Sequence, residues 1–216
     1  MPKLSTNSMI IMQLNPNSLI SEAYRSLRFN IEFSEFDREV KTIAITSANR
    51  GEGKTTTALN LAVAFAQIGR KVILLDVDLR KPSIHLAFGG ENIIGLSNFL
   101  AGQSTLNEIK RDSYVENLSI IYSGPTPSNP SELLASKQMI SLVAELKESY
   151  DMVIIDTPPA LALTDAKIMA AICDGVLLVV EHGKLKRSIA KKVKDELMFA
   201  KANLLGVVWS KIKNVV

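Results

Sequence analysis

Short apolar runs recur along this chain, each closed by a polar or acidic residue and most of them followed by a stretch with apolar residues at helical spacing. Residues 41–45 (KTIAI), 71–75 (KVILL), 117–122 (NLSIIY), 152–156 (MVIID), 175–180 (GVLLVV) and 204–209 (LLGVVW) are such runs. They are too short for helices and do not alternate apolar with polar, so they predict strands buried on both faces of a parallel sheet. Residues 58–67, 131–149, 165–172 and 188–201 carry the helical period between them. Strand and helix in alternation predict an α/β fold, a mostly parallel central sheet flanked by helices on both faces. One more helix is predicted over 19–36, with Leu19, Ala23, Leu27 and Ile31 turned inward and Glu22, Arg25 and Arg28 on a slowly rotating outer face, where Glu22 can pair locally with Arg25. Residues 1–17 are polar and carry Pro2 and Pro16, which predicts a flexible arm, and residues 18–216 form a single domain. The pattern weakens over 81–130, where Gly89, Gly90, Gly95, Gly102 and the run GPTPSNP at 124–130 predict an excursion from the core.

Composition narrows the function classes. A chain of 216 residues that is 47% apolar can bury a sizeable core as one α/β domain. Its formal net charge of +3 does not by itself call for nucleic acid. The basic residues Lys184, Lys186, Arg187, Lys191, Lys192 and Lys194 nevertheless crowd the last helix and its approach. Such a face suits acidic partners, anionic lipid or nucleic acid. With no aromatic residues interleaving the charges, a solvated face is the first expectation and no nucleic-acid partner is expected. A single cysteine, Cys173, lies among Ala170, Ala171 and Ile172, which excludes an internal disulfide and favours a buried structural thiol. His85 and His182 alone make no zinc site. No apolar run approaches the ~20 residues of a spanning helix, and residues 9–12 are too short for a signal-peptide core. The expected location is cytoplasmic.

The chemistry is concentrated where the strands end. Ala48-x-x-x-x-Gly53-Lys54-Thr55, between an apolar strand and a helix, has the spacing of a phosphate-binding loop. Gly51 and Gly53 let the backbone fold round phosphates so that N–H groups and the helix N-terminus face the anion. Lys54 can reach the β- and γ-phosphates, and Thr55 supplies the hydroxyl that such loops place on Mg²⁺. The run Asp76-Val77-Asp78-Leu79-Arg80 closes the second strand, and Asp156 closes the 152–156 strand before Thr157-Pro158-Pro159 stops it. Open parallel sheets bind ligands outside the carboxyl ends of their strands, so these acids are expected beside the loop, compensated by Mg²⁺ and Arg80.

Taken together, these residues resemble the cytoplasmic domain of bacterial tyrosine kinases, relatives of the septum-site and partition ATPases tied to exopolysaccharide and capsule export. The resemblance spans nearly the whole chain. It rests on Gly51-Glu52-Gly53-Lys54-Thr55, on Asp76-x-Asp78-x-Arg80 as Walker A′, on Ile154-Ile155-Asp156-Thr157-Pro158-Pro159 as Walker B, on residues 124–134, and on Glu22-x-x-Arg25-x-x-Arg28, which is similar to the family's ring-assembly motif. The resemblance implies an ATP- and Mg²⁺-dependent protein-tyrosine kinase that regulates exopolysaccharide or capsule synthesis. Asn49, Arg50, Gly51, Glu52, Gly53, Lys54, Thr55 and Thr56 would wrap the nucleotide, and Lys54 would stabilise the transferring phosphoryl group. Thr55, Asp76, Asp78 and Asp156 would form the magnesium shell, with Asp76 or Asp78 taking the tyrosine proton. It also implies a homo-oligomeric ring through Glu22, Arg25 and Arg28, a transmembrane activator whose cytoplasmic tail binds the domain, tyrosine-bearing protein substrates, and a place at the inner face of the membrane through that partner. The alternatives are a nucleotide-switched positioning ATPase and a regulatory nucleotide-binding subunit.

Four features set the chain apart from these relatives. Arg50 stands where the loop usually has proline, Asn49 where the partition ATPases carry a lysine, and Ser210 where an asparagine usually lies near the base. No tyrosine follows Tyr150, so self-phosphorylation at a tail cluster is not expected.

Overall fold

The computed structural model describes residues 9–33 and 39–212. Among the described residues seven strands, β1 (Thr42–Ser47), β2 (Val72–Asp76), β3 (Lys110–Asp112), β4 (Leu118–Ile121), β5 (Met152–Asp156), β6 (Gly175–Glu181) and β7 (Leu204–Ser210), form one sheet in the order β3-β4-β2-β5-β1-β6-β7. Every pairing is parallel except that of β3 with β4. The continuous apolar runs are buried as expected: every residue of β1, β2 and β5 is buried. Alternate residues of each strand feed opposite cores. Ile43, Ile45, Val72, Leu74, Met152 and Ile154 pack on one side, Ala44, Ile73, Leu75, Val153 and Ile155 on the other.

Helices cover both faces. On the first lie α1 (Ile11–Leu14), α2 (Leu19–Phe33), α3 (Lys54–Ala66) and α4 (Ile84–Ala87). On the second lie α5 (Leu96–Leu100), α6 (Leu106–Ile109), α7 (Pro130–Leu134), α8 (Lys137–Ser149), α9 (Asp165–Ile172) and α10 (Arg187–Phe199). Helix α3 begins at Lys54, so the phosphate-loop lysine opens the helix rather than preceding it. The helix expected over 131–149 is two helices, because Ser136 accepts a hydrogen bond from the Met139 N–H at 3.2 Å and so caps a fresh start. The expected excursion at 81–130 holds α4, α5, α6, β3 and β4, and its strand β3 makes the antiparallel edge.

The flexible arm expected over 1–17 fails from Met9 onward. Ile10 and Met12 are fully buried against the core of the first face. Asn60, inside α3, holds them: its Oδ1 accepts from the Met12 N–H at 3.0 Å and its Nδ2 donates to the Met9 carbonyl at 2.8 Å. Burying two such side chains contributes about 1.5–3 kcal/mol each, enough to order the short segment that carries them. The helix expected over 19–36 is described as far as Phe33, and the end of that expectation lies outside the described residues. Among the described residues no helix is long and apolar enough to cross a membrane. Cys173 caps the C-terminus of α9 as a half-buried free thiol, less enclosed than expected, and its pKa is pushed up to about 12 by burial and by Asp174, which fits a structural rather than nucleophilic role.

Candidate active site

Sheet register brings the acids together. β2 and β5 pair so that Asp76 stands directly beside Asp156, and Asp156 in turn stands beside Ile45 of β1, three residues before the loop begins. The chain then turns through residues 48–53, where Gly51 (φ +78°) and Gly53 (φ +94°) take left-handed conformations that other residues rarely adopt. At Gly53 a methyl group would also press on Ser210 Cβ at 3.3 Å. The loop ends at the N-terminus of α3, a thirteen-residue helix whose first turn borders a cleft of about 330 Å³ and offers it free N–H groups.

Arg50, Lys54, Lys81 and Lys211 line that cleft, with Asp78 the acid among its lining residues. Four cations around one carboxylate make a receptor for a polyanion. Lys54 is 9% exposed, with its Nζ 3.3 Å from Asp78 Oδ2, 3.6 Å from Asp156 Oδ1 and 3.4 Å from Thr55 Oγ1. Burial pushes its pKa down, but Asp156, Asp78 and Asp76 outweigh that and the net shift is upward, so the ammonium stays charged. Thr55 Oγ1 donates to Asp156 Oδ2 at 2.6 Å. The other carboxylate oxygen, Asp156 Oδ1, is buried without a hydrogen-bond partner. Burial raises the pKa of Asp156, opposed by Lys54 and Thr55.

The two Walker A′ acids occupy different environments. Asp76 is wholly buried; its Oδ2 accepts the Ser83 and Ile84 N–H groups at 3.0 and 2.9 Å, and its Oδ1 accepts the Asp78 N–H at 3.2 Å. Desolvation and the neighbouring Asp156 raise its pKa to about 7 against the pull of those N–H donors and Lys54. Asp78 faces the cleft, accepting the Lys81 N–H at 3.1 Å through Oδ1 and Lys54 through Oδ2.

Arg80 does not compensate these acids. Its Nε donates to Asp165 Oδ2 at 2.9 Å and its NH2 to Ser131 Oγ at 3.0 Å, which ties the loop after β2 to α7 and α9. Asp165 is fully buried. Arg80→Ala is therefore expected to destabilise the fold, on the order of 2 kcal/mol once the partial exposure of the arginine is allowed for, read as a lower urea midpoint with an unchanged slope.

Asn49 and Glu52 bond each other, the Asn49 N–H and Nδ2 donating to Glu52 at 3.0 and 3.1 Å, and neither lines the cleft. Arg50, Gly51, Gly53, Lys54, Thr55 and Thr56 do line it. Lys81, Ser83 and Lys211 carry no sequence expectation, and Ser210 enters there only as a departure from the family pattern near the base. Ser83 Oγ donates to Thr55 Oγ1 at 3.3 Å. Ser210 Oγ donates to the Glu52 carbonyl, and Lys211 Nζ donates to the Gly51 carbonyl while reaching Glu181 at 3.1 Å. Their position at the carboxyl ends of β2 and β7 is the signal that finds them. Glu22, Arg25 and Arg28 lie apart from the cleft, on α2. Arg25 binds Glu22 at 3.0 Å and the Pro16 carbonyl at 2.8 Å, and Arg28 binds Glu32 at 3.2 Å.

Residues 40–194 match a family described as an AAA domain. The chain is 49% identical over 199 residues to the tyrosine-protein kinase YwqD of Bacillus subtilis, covering 92% of this chain and 84% of that protein. It is 40% identical to the putative tyrosine-protein kinase CapB of Staphylococcus aureus, covering 97% and 92%. Among solved structures the chimerical protein CapA2B2 superposes with a TM-score of 0.92 at 40% identity, covering 96% of this chain and 91% of the other. The septum-site-determining protein of Pyrococcus horikoshii, solved with Mg-ADP, is more distant, with a TM-score of 0.66 at 28% identity over 78% of this chain and 69% of that one.

Proposed function

Because the chain belongs to the tyrosine-protein kinase family of P-loop domains, we propose that it transfers the γ-phosphoryl group of ATP to tyrosine residues of partner proteins, in the control of capsule or exopolysaccharide synthesis. The observation that carries this reading is Lys54, held charged between Asp78 and Asp156 at the head of α3, with one oxygen of Asp156 bonded by the Thr55 hydroxyl and the other buried without a hydrogen bond, met by the Lys54 ammonium at 3.6 Å.

That oxygen, free of hydrogen bonds, and the hydroxyl are hard ligands that fit magnesium. Thr55 and Asp156 would hold Mg²⁺, directly or through water, and the ion supplies positive charge against the β- and γ-phosphates when bound. The remaining work falls to this chain. Lys54 leaves its carboxylate partners for the γ-phosphate and neutralises charge on the transferring group, while the N–H groups of the loop and of the first turn of α3 hold the phosphates in line. Asp78, the acid at the cleft surface, accepts the proton of the incoming phenol. Asp76 does not reach the substrate; by binding the Ser83 and Ile84 N–H groups it fixes the turn that aims Asp78. No covalent enzyme intermediate is required.

The test combines labelled ATP, a tyrosine-bearing partner and the cytoplasmic tail of the proposed membrane activator. Label on tyrosine is expected; its absence with ATP binding intact overturns the reading. A positioning ATPase is the weaker alternative, because the septum-site relatives are distant and Asn49, in place of their lysine, is spent on Glu52.

Assembly into a ring through Glu22, Arg25 and Arg28 belongs to the same proposal. The local pairs on α2 are exposed or half-buried and are worth only a few tenths of a kcal/mol each, so exchanging them for contacts with a neighbouring subunit costs little. Changing all three to Ala is expected to reduce the mass measured by sedimentation to that of a monomer with little loss of thermal stability. A wild-type chain that stays monomeric at every concentration, with and without ATP and Mg²⁺, removes the ring.

A further inference from the structure

The cationic face of α10 has no part in the cleft. One side of this helix is core: Val193 and Leu197 are fully buried, with Ile189 packed beside them. The opposite side is a stripe. Arg187, Lys191, Lys194 and Met198 follow at helical spacing and are exposed, and Lys184 and Lys186 extend the charge at the N-terminal approach. Among the described residues Lys186, Arg187, Lys191 and Lys194 form no ion pair, whereas Lys184 binds Glu181 at 2.7 Å and the helix's own Glu196 is taken by Lys167 at 2.8 Å. At the far end two large apolar side chains stand in water together, Met198 at 59% and Phe199 at 90% exposure. An open furrow of about 540 Å³, lined by Ser188, Lys191, Lys192, Asp195, Glu196 and Phe199, runs beside the stripe.

Unpaired cations with an apolar tip on one convex helix face match the surface of an anionic bilayer, where lysine and arginine meet headgroup phosphates and an aromatic ring enters the acyl boundary. Nucleic acid is a poorer fit, since the apolar residues sit at the end of the stripe rather than between the charges, where bases would stack. We propose that α10 rests directly on anionic lipid, with Met198 and Phe199 inserted. The topology suits this. α10 runs back from the carboxyl end of β6 to the amino end of β7, so Phe199 lies at the end of the sheet remote from the cleft. α10 is also on the sheet face opposite α2. Docking therefore leaves both the nucleotide cleft and the α2 face free, and it requires no second protein.

The experiment is co-sedimentation of the whole chain, without nucleotide, with phosphatidylcholine vesicles and with vesicles containing phosphatidylglycerol. Binding is expected only to the anionic vesicles and to weaken as salt is raised. Lys191→Glu with Lys194→Glu is expected to lower the apparent affinity at least tenfold, and Phe199→Ser to lower it several-fold, with unfolding curves of both variants matching wild type. As a reporter of insertion, Phe199→Trp in a Trp209→Phe background places the single tryptophan at the tip, and its emission is expected to shift to the blue with anionic vesicles. Equal binding to neutral vesicles, no binding to anionic ones, indifference to the charge reversals, or capture by DNA in their place overturns the proposal. Because no ATP is present, the outcome is independent of whether the domain is a kinase.

Discussion

Lys54→Met is expected to lower phosphoryl transfer by roughly a thousandfold, the scale on which lost electrostatic stabilisation of a transition state is felt. Methionine keeps the length and most of the volume of the side chain, so packing at the head of α3 is preserved and the loss is one of charge. Two consequences separate this from a general defect. The chain loses the cation between Asp78 and Asp156, which then face each other across a buried gap with opposition only from Thr55 and backbone donors. Burial already raises the pKa of Asp156 and Lys54 opposes that rise, so without the ammonium Asp156 is expected to hold a proton more readily. The folded variant also retains the loop N–H groups, so affinity for nucleotide, followed with a fluorescent analogue, is expected to fall far less than turnover. Near-normal single-turnover transfer would remove Lys54 from the chemistry.

The second large effect is a contrast between two acids only two residues apart. Asp78→Asn is expected to lower kcat about a hundredfold or more, the usual range for a lost general base, with KM for ATP changed only a few-fold and stability near wild type. Asp76→Asn is expected to act through the fold. Its carboxylate accepts three backbone N–H groups, and an amide turns one acceptor into a donor against a donor. Its cost is therefore read first as a lower unfolding midpoint. pH adds a signature. With a folded pKa of about 7, above its ordinary carboxylate value of 3.8, Asp76 is held more tightly protonated in the folded chain. The stability this confers is full below about pH 4 and lost as pH rises through 7, with a slope of up to about 1.4 kcal/mol per pH unit. Asn has no proton to lose, so the nucleotide-free variant is expected to lack that slope between pH 5 and 8. Identical kinetic losses for the two variants, with identical melting, would deny the division of labour.

The parallel strands were legible because burial on both faces leaves a continuous apolar run, and a run that ends in an acid marks the carboxyl edge of the sheet. What sequence withholds is direction. Arg80 sits in the Walker A′ run, but its partner Asp165 is 85 positions away and draws it out of the cleft. Strand β3, Lys110-Arg111-Asp112, is polar and three residues long, so it carries no period to detect. Ile10 and Met12 lie in an apolar run of only four residues, Met9 to Met12, too short to show a period, and they are held by Asn60, a residue that reads from sequence as an unremarkable helix position. Ser136 divides one amphipathic stretch into two helices through a single capping hydrogen bond.

The phosphate loop is fastened from the other end of the chain. Ser210 and Lys211 hold the carbonyls of Glu52 and Gly51, and both follow from β7, the outermost strand. Loop residues near position 50 therefore reach their binding shape only after residues near position 210 have paired onto β6. On a ribosome, which releases the chain from its N-terminus, the loop emerges more than 150 residues before its fasteners. Newborn chains are expected to fold most of their sheet while still unable to grip a nucleotide, and to become competent in a late step that coincides with the docking of the final strand.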